Sequence, residues 1–489
     1  MKTLNLYAIA HQTLTEHGFL WRFPSSIAKE IKTLPADFSH SFEDHAIEDL
    51  RNLPWSSIDN FDSLDLDQLE FAEPHQNREI RVMVAISDVS CYVKRGMKID
   101  QQAFHNGTSL YMGIETFPML PQRLSYNLSS LKAEEDRLAV VVEFFVKRDG
   151  SLRAGRIKRA LVRSQAKLVY ESVGLWLERK GPAPEAIVKN PILERQLLLQ
   201  DEAAQRLHNF RMENGALELD TIEASPLIEE GRVVSLIVKK KNRANFLIEN
   251  FMIAANTTMV RFLDKQNIPY IQRVLPTPER WPKIREVAEE LGKKLTLEPD
   301  SKALSEFLAD RRKIEPLRFP DLSLTIVKLL GQAEYVVADP QKKKIGHFGL
   351  AVYDYTHSTA PNRRYVDIVI QRLIKSVFSG KPVSYNHKEL KQIADWCTDR
   401  DRASKKVERF MRKVFGSVIM SGKIGQVFEA IVTGSSEKGT YVRLLEPQPP
   451  VEGRMMRGQW GMEIGDKVKV RLVALRPEKG YIDFERARR

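Results

Sequence analysis

The spacing of apolar residues changes character twice along the chain, and that change limits the folds open to it. From about residue 55 the apolar residues run or alternate over strand lengths, as in RVMVAIS and RLAVVVEFFVKRDGSL, which ends at an Asp149-Gly150 turn signal. Helical spacing follows. WPKIREVAEELGKK places Ile284, Val287, Ala288 and Leu291 on one stripe, with Thr277 and Pro278 upstream as helix-start residues and Gly292 as the stop. Val407, Phe410, Met411 and Val414 make a second stripe inside a charged segment from about 388 to 416. Strand spacing then returns. GQVFEAIVTGSSEKGTYVRLL reads as two strands around a turn, and GDKVKVRLVALRPEKGYIDFE as two more joined at Lys479-Gly480. The expected class is α+β: a mixed α/β body ending in helices, then a small closed barrel of the OB type.

Length agrees, because 489 residues exceed what one hydrophobic core organises. Three units are predicted: a short helical module over 1–52, in which SSIAKEIKTL starts a helix at Ser25/Ser26; the mixed body over 53–418, with its C-terminal helices; and the barrel over 419–489.

Lys and Arg outnumber Asp and Glu by 76 to 64, a net charge of +12, which favours polyanionic partners such as nucleic acid. The runs Lys239 to Lys241, Lys342 to Lys344 and Lys405 to Lys406 are more simply read as solvated faces. In the barrel segment Tyr441 and Phe428 fall on strands and can offer stacking faces to bases, while Arg443, Lys467, Lys469 and Arg471 can meet phosphates. The competing role for these aromatics is barrel core, more readily for Phe428 than for Tyr441.

Hydrophobic residues at 43% argue against a disordered chain. Cys91 and Cys397 are the only cysteines, which excludes a disulfide framework or a CxxC zinc site and points to a reducing, cytoplasmic setting. MKTLNLYAIAHQ is too brief and polar for a secretory signal, and LAVVVEFFV is interrupted by Glu143, so no membrane partner is expected. Composition leaves the oligomeric state open, with a monomer favoured.

SSIDNFDSLDLDQLEF sets Asp59, Asp62, Asp65 and Asp67 within nine positions. Like charges this crowded repel unless a cation lies among them, and Mg²⁺ or Mn²⁺ prefers such oxygen ligands. Taken alone, the segment reads more readily as an acidic surface loop, and it lacks the glycine and distal glutamate of an EF-hand.

Its company changes that reading. The segment resembles the signature of the ribonuclease II (RNB) family, TID-x5-D-x-DD, here SIDNFDSLDLDQ. VAISDVSCYVKRG, NGTSLYMGIETFPMLPQRLSYNLSSL, LIENFMIAAN and HFGLAVYDYTHSTAPNRRYVDIVIQRLI are similar to that family's later blocks, in the family's order, and the resemblance covers about 55 to 415. The terminal block is similar to the ribosomal-protein type of OB-fold that closes such chains.

The resemblance implies a 3′-to-5′ hydrolytic exoribonuclease that degrades single-stranded RNA to nucleoside monophosphates with Mg²⁺ or Mn²⁺ as cofactor. It carries metal-ligand roles to Asp59, Asp65 and Asp67, the last also catalytic, and puts Gln68 at the fourth aspartate position. A glutamine offers a neutral oxygen and stabilises a divalent ion less. Asp62 is out of register with the pattern. Arg363 in APNRRY matches the catalytic arginine of the SPIRRY-like motif, a guanidinium able to grip two phosphate oxygens. Arg364 is then an RNA contact or a structural salt-bridge partner.

Tyr111 matches the family tyrosine that stacks near the 3′ end, its plainer role being a half-buried strand tyrosine. Glu249 matches an acidic position of LIEEFM, suited to a ribose 2′-hydroxyl, with Asn250 where a second Glu is common. Glu408 in SKKVERF matches an acidic residue near the active site.

Two other function classes compete. Gln68 motivates an RNA-binding or regulatory protein that keeps the fold with weak or lost catalysis. A sequence-specific DNA-binding regulator would need a denser basic helix than the N-terminus supplies. Family members often carry two cold-shock-type barrels ahead of the catalytic domain, which about 50 residues cannot hold. The entrance to the RNA channel is therefore expected to be built differently, by a small helical module.

Overall fold

The computed structural model describes residues 4–35, 47–220, 224–229, 232–238, 240–316, 318–342, 344–380, 382–436, 439–445 and 449–487. Lys239 and Lys343, members of two of the lysine runs, lie outside them.

The body is organised by a six-stranded sheet in the order β1-β8-β2-β3-β4-β7. Its strands are β1 (Glu48–Asp49), β2 (Trp55–Asp59), β3 (Gln68–Pro74), β4 (Ile80–Ser87), β7 (Asp136–Val146) and β8 (Leu152–Val169); β5 (Leu110–Tyr111) and β6 (Thr116–Phe117) form a separate hairpin. The 18-residue β8 pairs antiparallel with β7 along its first part and parallel with β2 along its last, which curls the sheet back on itself. IRVMVAIS reads as a nearly continuous apolar run because β4 is covered on both faces. Val82, Val84 and Ile86 join Ile58, Ala72 and Val140 in the larger core, while Met83 and Ala85 join Trp55, Leu69 and Phe71 in a smaller one.

Helices cover the larger core. Arg243–Lys265 contributes Leu247, Phe251 and Ala254, and Tyr365–Ser379 contributes Ile370 and Leu373. Asn242 and Asn386 start Arg243–Lys265 and His387–Ile419 with full capping boxes. The expected stripe at 407–414 lies on the second of these, with Val407, Met411 and Val414 buried. One expected helix start is corrected: that helix runs Trp281–Glu290, with Pro282 rather than Pro278 in its first turn. Gly292, at φ +82°, lies just beyond its end.

The N-terminal segment forms α1 (Leu6–Glu16) and α2 (Ser25–Thr33). They have no core of their own. Leu6, Ala10 and Leu14 share a cluster with Val407, Met411 and the barrel, while Ile27 and Ile31 join the larger core. No described helix is long and apolar enough to cross a membrane.

The C-terminal strands Val427–Ser436, Gly439–Leu444, Glu452–Arg457, Tyr481–Arg486 and Lys467–Arg476 close into a barrel in that spatial order. Sequence spacing reveals four of the five. EGRMMR does not alternate in polarity, yet it pairs with Gly439–Leu444 on one side and, in parallel, with Tyr481–Arg486 on the other. Phe428 is barrel core, whereas Lys467, Lys469 and Arg471 are exposed. Tyr441 is half-buried, with the Lys413 ammonium 5.6 Å from its ring centroid.

The expectation that Arg443 meets phosphates is corrected. Its side chain is buried and donates to Asp321 on the helix Phe319–Leu330, which also sends the Lys328 Nζ to the Thr433 carbonyl at 2.9 Å. Breaking a buried pair from one side strands the other charge. Arg443→Ala is expected to destabilise the protein by roughly 3 kcal/mol in urea unfolding, and Asp321→Leu with Arg443→Met to recover most of the loss. Equal losses in both variants would mean that the charges are not what holds this junction.

Candidate active site

The site is assembled where the start of β3 meets the loop ahead of helix Tyr365–Ser379. Asp67 immediately precedes β3, and its carbonyl accepts from Ser87 N at 2.9 Å, which fixes it against β4. Its side chain is 3% exposed. Oδ1 accepts from the Asn362 backbone N at 3.0 Å and from Asn362 Nδ2 at 2.9 Å. The Asn362 side-chain oxygen accepts in turn from Ser129 Oγ at 2.6 Å, so the orienting residue is itself oriented. On the other carboxylate oxygen stands Arg363, its Nε 3.8 Å from Oδ2 and its side chain 45% exposed.

Arg363 is presented outward by its neighbours. Its carbonyl accepts from Ser109 N at 3.0 Å and Thr108 Oγ1 at 3.1 Å, which lays the TSLYMG segment alongside. Arg364 turns the other way and forms a fork with Asp367, Nε at 2.9 Å and Nη2 at 2.8 Å. Asp367 also accepts from Ala360 N at 2.7 Å, closing the loop on itself. Of two adjacent arginines one is thus spent on the scaffold, and one is free to meet a ligand.

Tyr111 completes this side. Its phenol lies near enough to Arg363 and Asp65 to feel both charges, its backbone N donates to Glu408 Oε1 at 3.3 Å, and it keeps 44% of its surface exposed. Asp65, Asp67, Tyr111, Arg363 and Glu408 therefore share one place. Asp59, at the end of β2, adds its charge to that of Asp65 while its Oδ1 accepts from Asn60 N at 2.7 Å and Ser63 Oγ at 2.6 Å. Asp62 is exposed. Gln68 opens β3, is buried, and makes no side-chain hydrogen bond among the described residues. Glu249 pairs with Lys241 at 2.7 Å and Tyr441 lies in the barrel; neither contacts the aspartates.

Burial dominates the electrostatics. It pushes Asp67 up to about 8, with Asp65 raising it further and Arg363 pulling it down. Asp65 is raised for the same first reason and Glu408 likewise. Carboxyls held this way take up a proton or a cation. Among the described residues no three His, Cys, Asp or Glu side chains stand close enough to hold a metal unaided. The donor chemistry still fits Mg²⁺, which typically takes one or two carboxylates and completes its shell with waters and substrate phosphate.

The family model for the RNB domain matches residues 47–380, and that for the RNase II-type exonuclease C-terminal S1 domain matches 426–487. The chain belongs to the RNB family. Among its relatives, ribonuclease R of Thermotoga maritima is 30% identical over 97% of this chain and 69% of its own length. Ribonuclease R of Aquifex aeolicus is 30% identical over 95% and 68%. The solved Mycoplasma genitalium RNase R in complex with ribose methylated single-stranded RNA shares the fold at TM-score 0.87 and 22% identity, over 99% of this chain and 78% of that one.

Against the RNB pattern, one site residue and one buried carboxyl of the sheet escape the motif reading. Asn362 stands where SPIRRY carries isoleucine, and that visible departure is what clasps Asp67. Glu70 is a buried carboxyl on β3 beside Ser56 of β2, and its signal is an acidic residue at a position where the strand pattern calls for an apolar one.

The raised Asp67 carboxyl has a definite sign in stability. Folded chains keep its proton up to about pH 8, whereas unfolded chains lose it near the ordinary value of 3.8, so stability in metal-free buffer falls as pH rises between them. The expected contribution is roughly 1.4 kcal/mol per pH unit for one proton. Asp67→Asn should flatten the decline of the urea midpoint across this window, and an unchanged slope would place the proton elsewhere.

Proposed function

We propose that this RNB protein is a 3′-to-5′ hydrolytic exoribonuclease that degrades single-stranded RNA to nucleoside monophosphates with Mg²⁺ or Mn²⁺. The observation that carries the reading is the meeting of Asp65, Asp67, Tyr111 and Arg363, drawn from three separated segments of the chain, at one place. Membership of a family whose relatives bear the name ribonuclease R supports it.

Each residue has a physical task. Arg363, exposed beside a buried carboxylate, binds two phosphate oxygens through its planar fork. Asp67 aligns that guanidinium and is itself aligned by Asn362. Asp65 and Asp67, with Asp59 near them, would hold the cation. When bound, that ion supplies neutralisation of charge on the phosphate and acidifies a water for attack. Tyr111 offers its exposed ring to a terminal base, while Glu408 fixes its backbone. Stacking of this kind reads no sequence, which suits digestion of any RNA. Glu249, exposed beside Lys241, is assigned to a ribose 2′-hydroxyl.

The test is digestion of 5′-labelled single-stranded RNA with Mg²⁺ or Mn²⁺. The native protein should shorten the strand from its 3′ end and release mononucleotides. Asp67→Asn should lose at least about a hundredfold in rate, and Arg363→Lys about ten- to a hundredfold, because a point charge replaces a fork aimed at the phosphate. Internal cleavage, or inertness with both metals, would sink the proposal.

A further inference from the structure

The loop that ends in Arg363 begins with a histidine that the site as described so far does not use. His357 stands six residues ahead of Arg363, and its two downstream neighbours are pinned: Ser358 N and Oγ donate to the Asn256 side-chain oxygen at 2.8 and 2.6 Å, while Arg364 Nη2 donates to Thr359 Oγ1 at 3.5 Å. The imidazole is thus held in the same loop as the guanidinium that meets phosphate. Its Nδ1 accepts from the Tyr335 hydroxyl at 2.7 Å, and the Tyr355 ring packs edge-on with centroids 5.8 Å apart. Nε2 has no partner among the described residues, and the residue is only half-buried.

Tyr335 is itself firmly placed. It lies directly across the strand pair Tyr270–Val274 and Glu334–Ala338 from Arg273, whose guanidinium carbon is 4.5 Å from the Tyr335 ring centroid and whose Nη2 donates to Asp401 at 2.9 Å. Asp401 precedes Glu408, which holds the Tyr111 strand, by two turns of helix His387–Ile419, so both supports stand on one helix face about 10 Å apart along its axis. The imidazole and the stacking ring are therefore braced from the same side. A buried phenol with no other acceptor donates its proton, and that assigns the tautomer: Nδ1 accepts, and the single proton of the neutral ring is on Nε2. Burial, then Arg364, Arg273 and Arg363, hold the imidazole well below its ordinary value. Arg273 Nη1 is buried without a partner as well, a second donor here that the protein leaves unused.

We propose that His357 is a further substrate-binding residue, its Nε2–H donating to the backbone phosphate next to the one that Arg363 grips, with Tyr335 as the positioning residue that fixes the tautomer. This rests on the exoribonuclease reading above and deepens it. Arg363 is committed to the scissile phosphate and Tyr111 to the terminal base, so the phosphate one step along the strand is the acceptor that remains. A neutral N–H suits that task better than another cation. It recognises a charged oxygen without adding to the repulsion among Arg273, Arg363 and Arg364.

Binding of single-stranded RNA to the full chain in EDTA, where nothing is cleaved, tests this apart from turnover. His357→Leu should weaken binding about tenfold. His357→Gln, whose amide nitrogen reaches the place of Nε2, should stay within about threefold of native, whereas His357→Asn, which reaches only the place of Nδ1, should fall as far as His357→Leu. Tyr335→Phe should cost about threefold in the native protein and nothing further beside His357→Leu. A strand with an uncharged methylphosphonate at the second linkage from its 3′ end separates contact from scaffold: native protein should lose about tenfold on it, and His357→Leu should bind it as native does. Should His357→Leu not fold, the Gln and Asn variants carry the comparison. Losses that simply add, or Asn binding as well as Gln, would overturn the role of His357 and leave the nuclease reading standing. A native protein that binds no single-stranded RNA would remove both.

Discussion

The clasp of Asn362 on the Asp67 carboxylate is the contact on which the site depends. The two residues are 295 positions apart, and both hydrogen bonds end on one oxygen of a buried carboxylate. That geometry leaves the second oxygen to face Arg363. Hydrogen bonds to a charged acceptor are stronger than neutral ones, so the Asn362 backbone bond works against the burial that raises Asp67, and the two bonds together fix which way its carboxyl faces. The sheet and the loop before helix Tyr365–Ser379 are thus joined at the atom where chemistry is to happen, and any slip between them is felt there first.

The surrounding scaffold is stiffened by buried ion pairs that tie strands and loops to one another and to helices. Asp88, just after β4, is gripped by Lys375 and by Arg159 at 3.2 Å, and Asp100 meets Arg372 at 2.6 Å. Arg364 and Asp367 do the same where the loop enters the helix Tyr365–Ser379. Such pairs contribute little net stability, since desolvation offsets attraction, but they penalise any other arrangement. A site that must hold a phosphate between a guanidinium and carboxylates gains from that penalty, because small misplacements weaken both contacts.

Much of this was legible in the sequence because it follows from periodicity and motif. The strands around β4, the stripe at 407–414 and four barrel strands were readable from apolar spacing. Asp65, Asp67, Tyr111 and Arg363 were readable as motif members that the fold then unites. What stayed hidden has physical causes. Glu452–Arg457 is held by barrel closure and not by its own pattern, so EGRMMR carries no strand signal. Arg443 looks like any basic residue of a nucleic-acid-binding barrel until Asp321 arrives from a helix over a hundred residues earlier. Glu70 and Asn362 are visible only as departures, and a departure acquires meaning when its neighbours in space are known.

The N-terminal helices bear on the substrate path in a way that their length alone does not suggest. His11 on α1 stacks on Trp21 at 4.0 Å and meets the edge of Phe117, in β6, at 5.6 Å. Leu110, Met112 and Phe117 of the β5–β6 hairpin lie in the same cluster as Leu6, Ala10 and Leu14. That hairpin carries Tyr111. The helix α1, with Trp21 just after it, therefore braces the strand that presents the stacking ring, while Glu408 secures the same strand from the long helix His387–Ile419. The approach to the site is supported here by packing against the hairpin itself. The position of Tyr111 is set from both sides, by an apolar brace and by the half-buried Glu408 carboxylate.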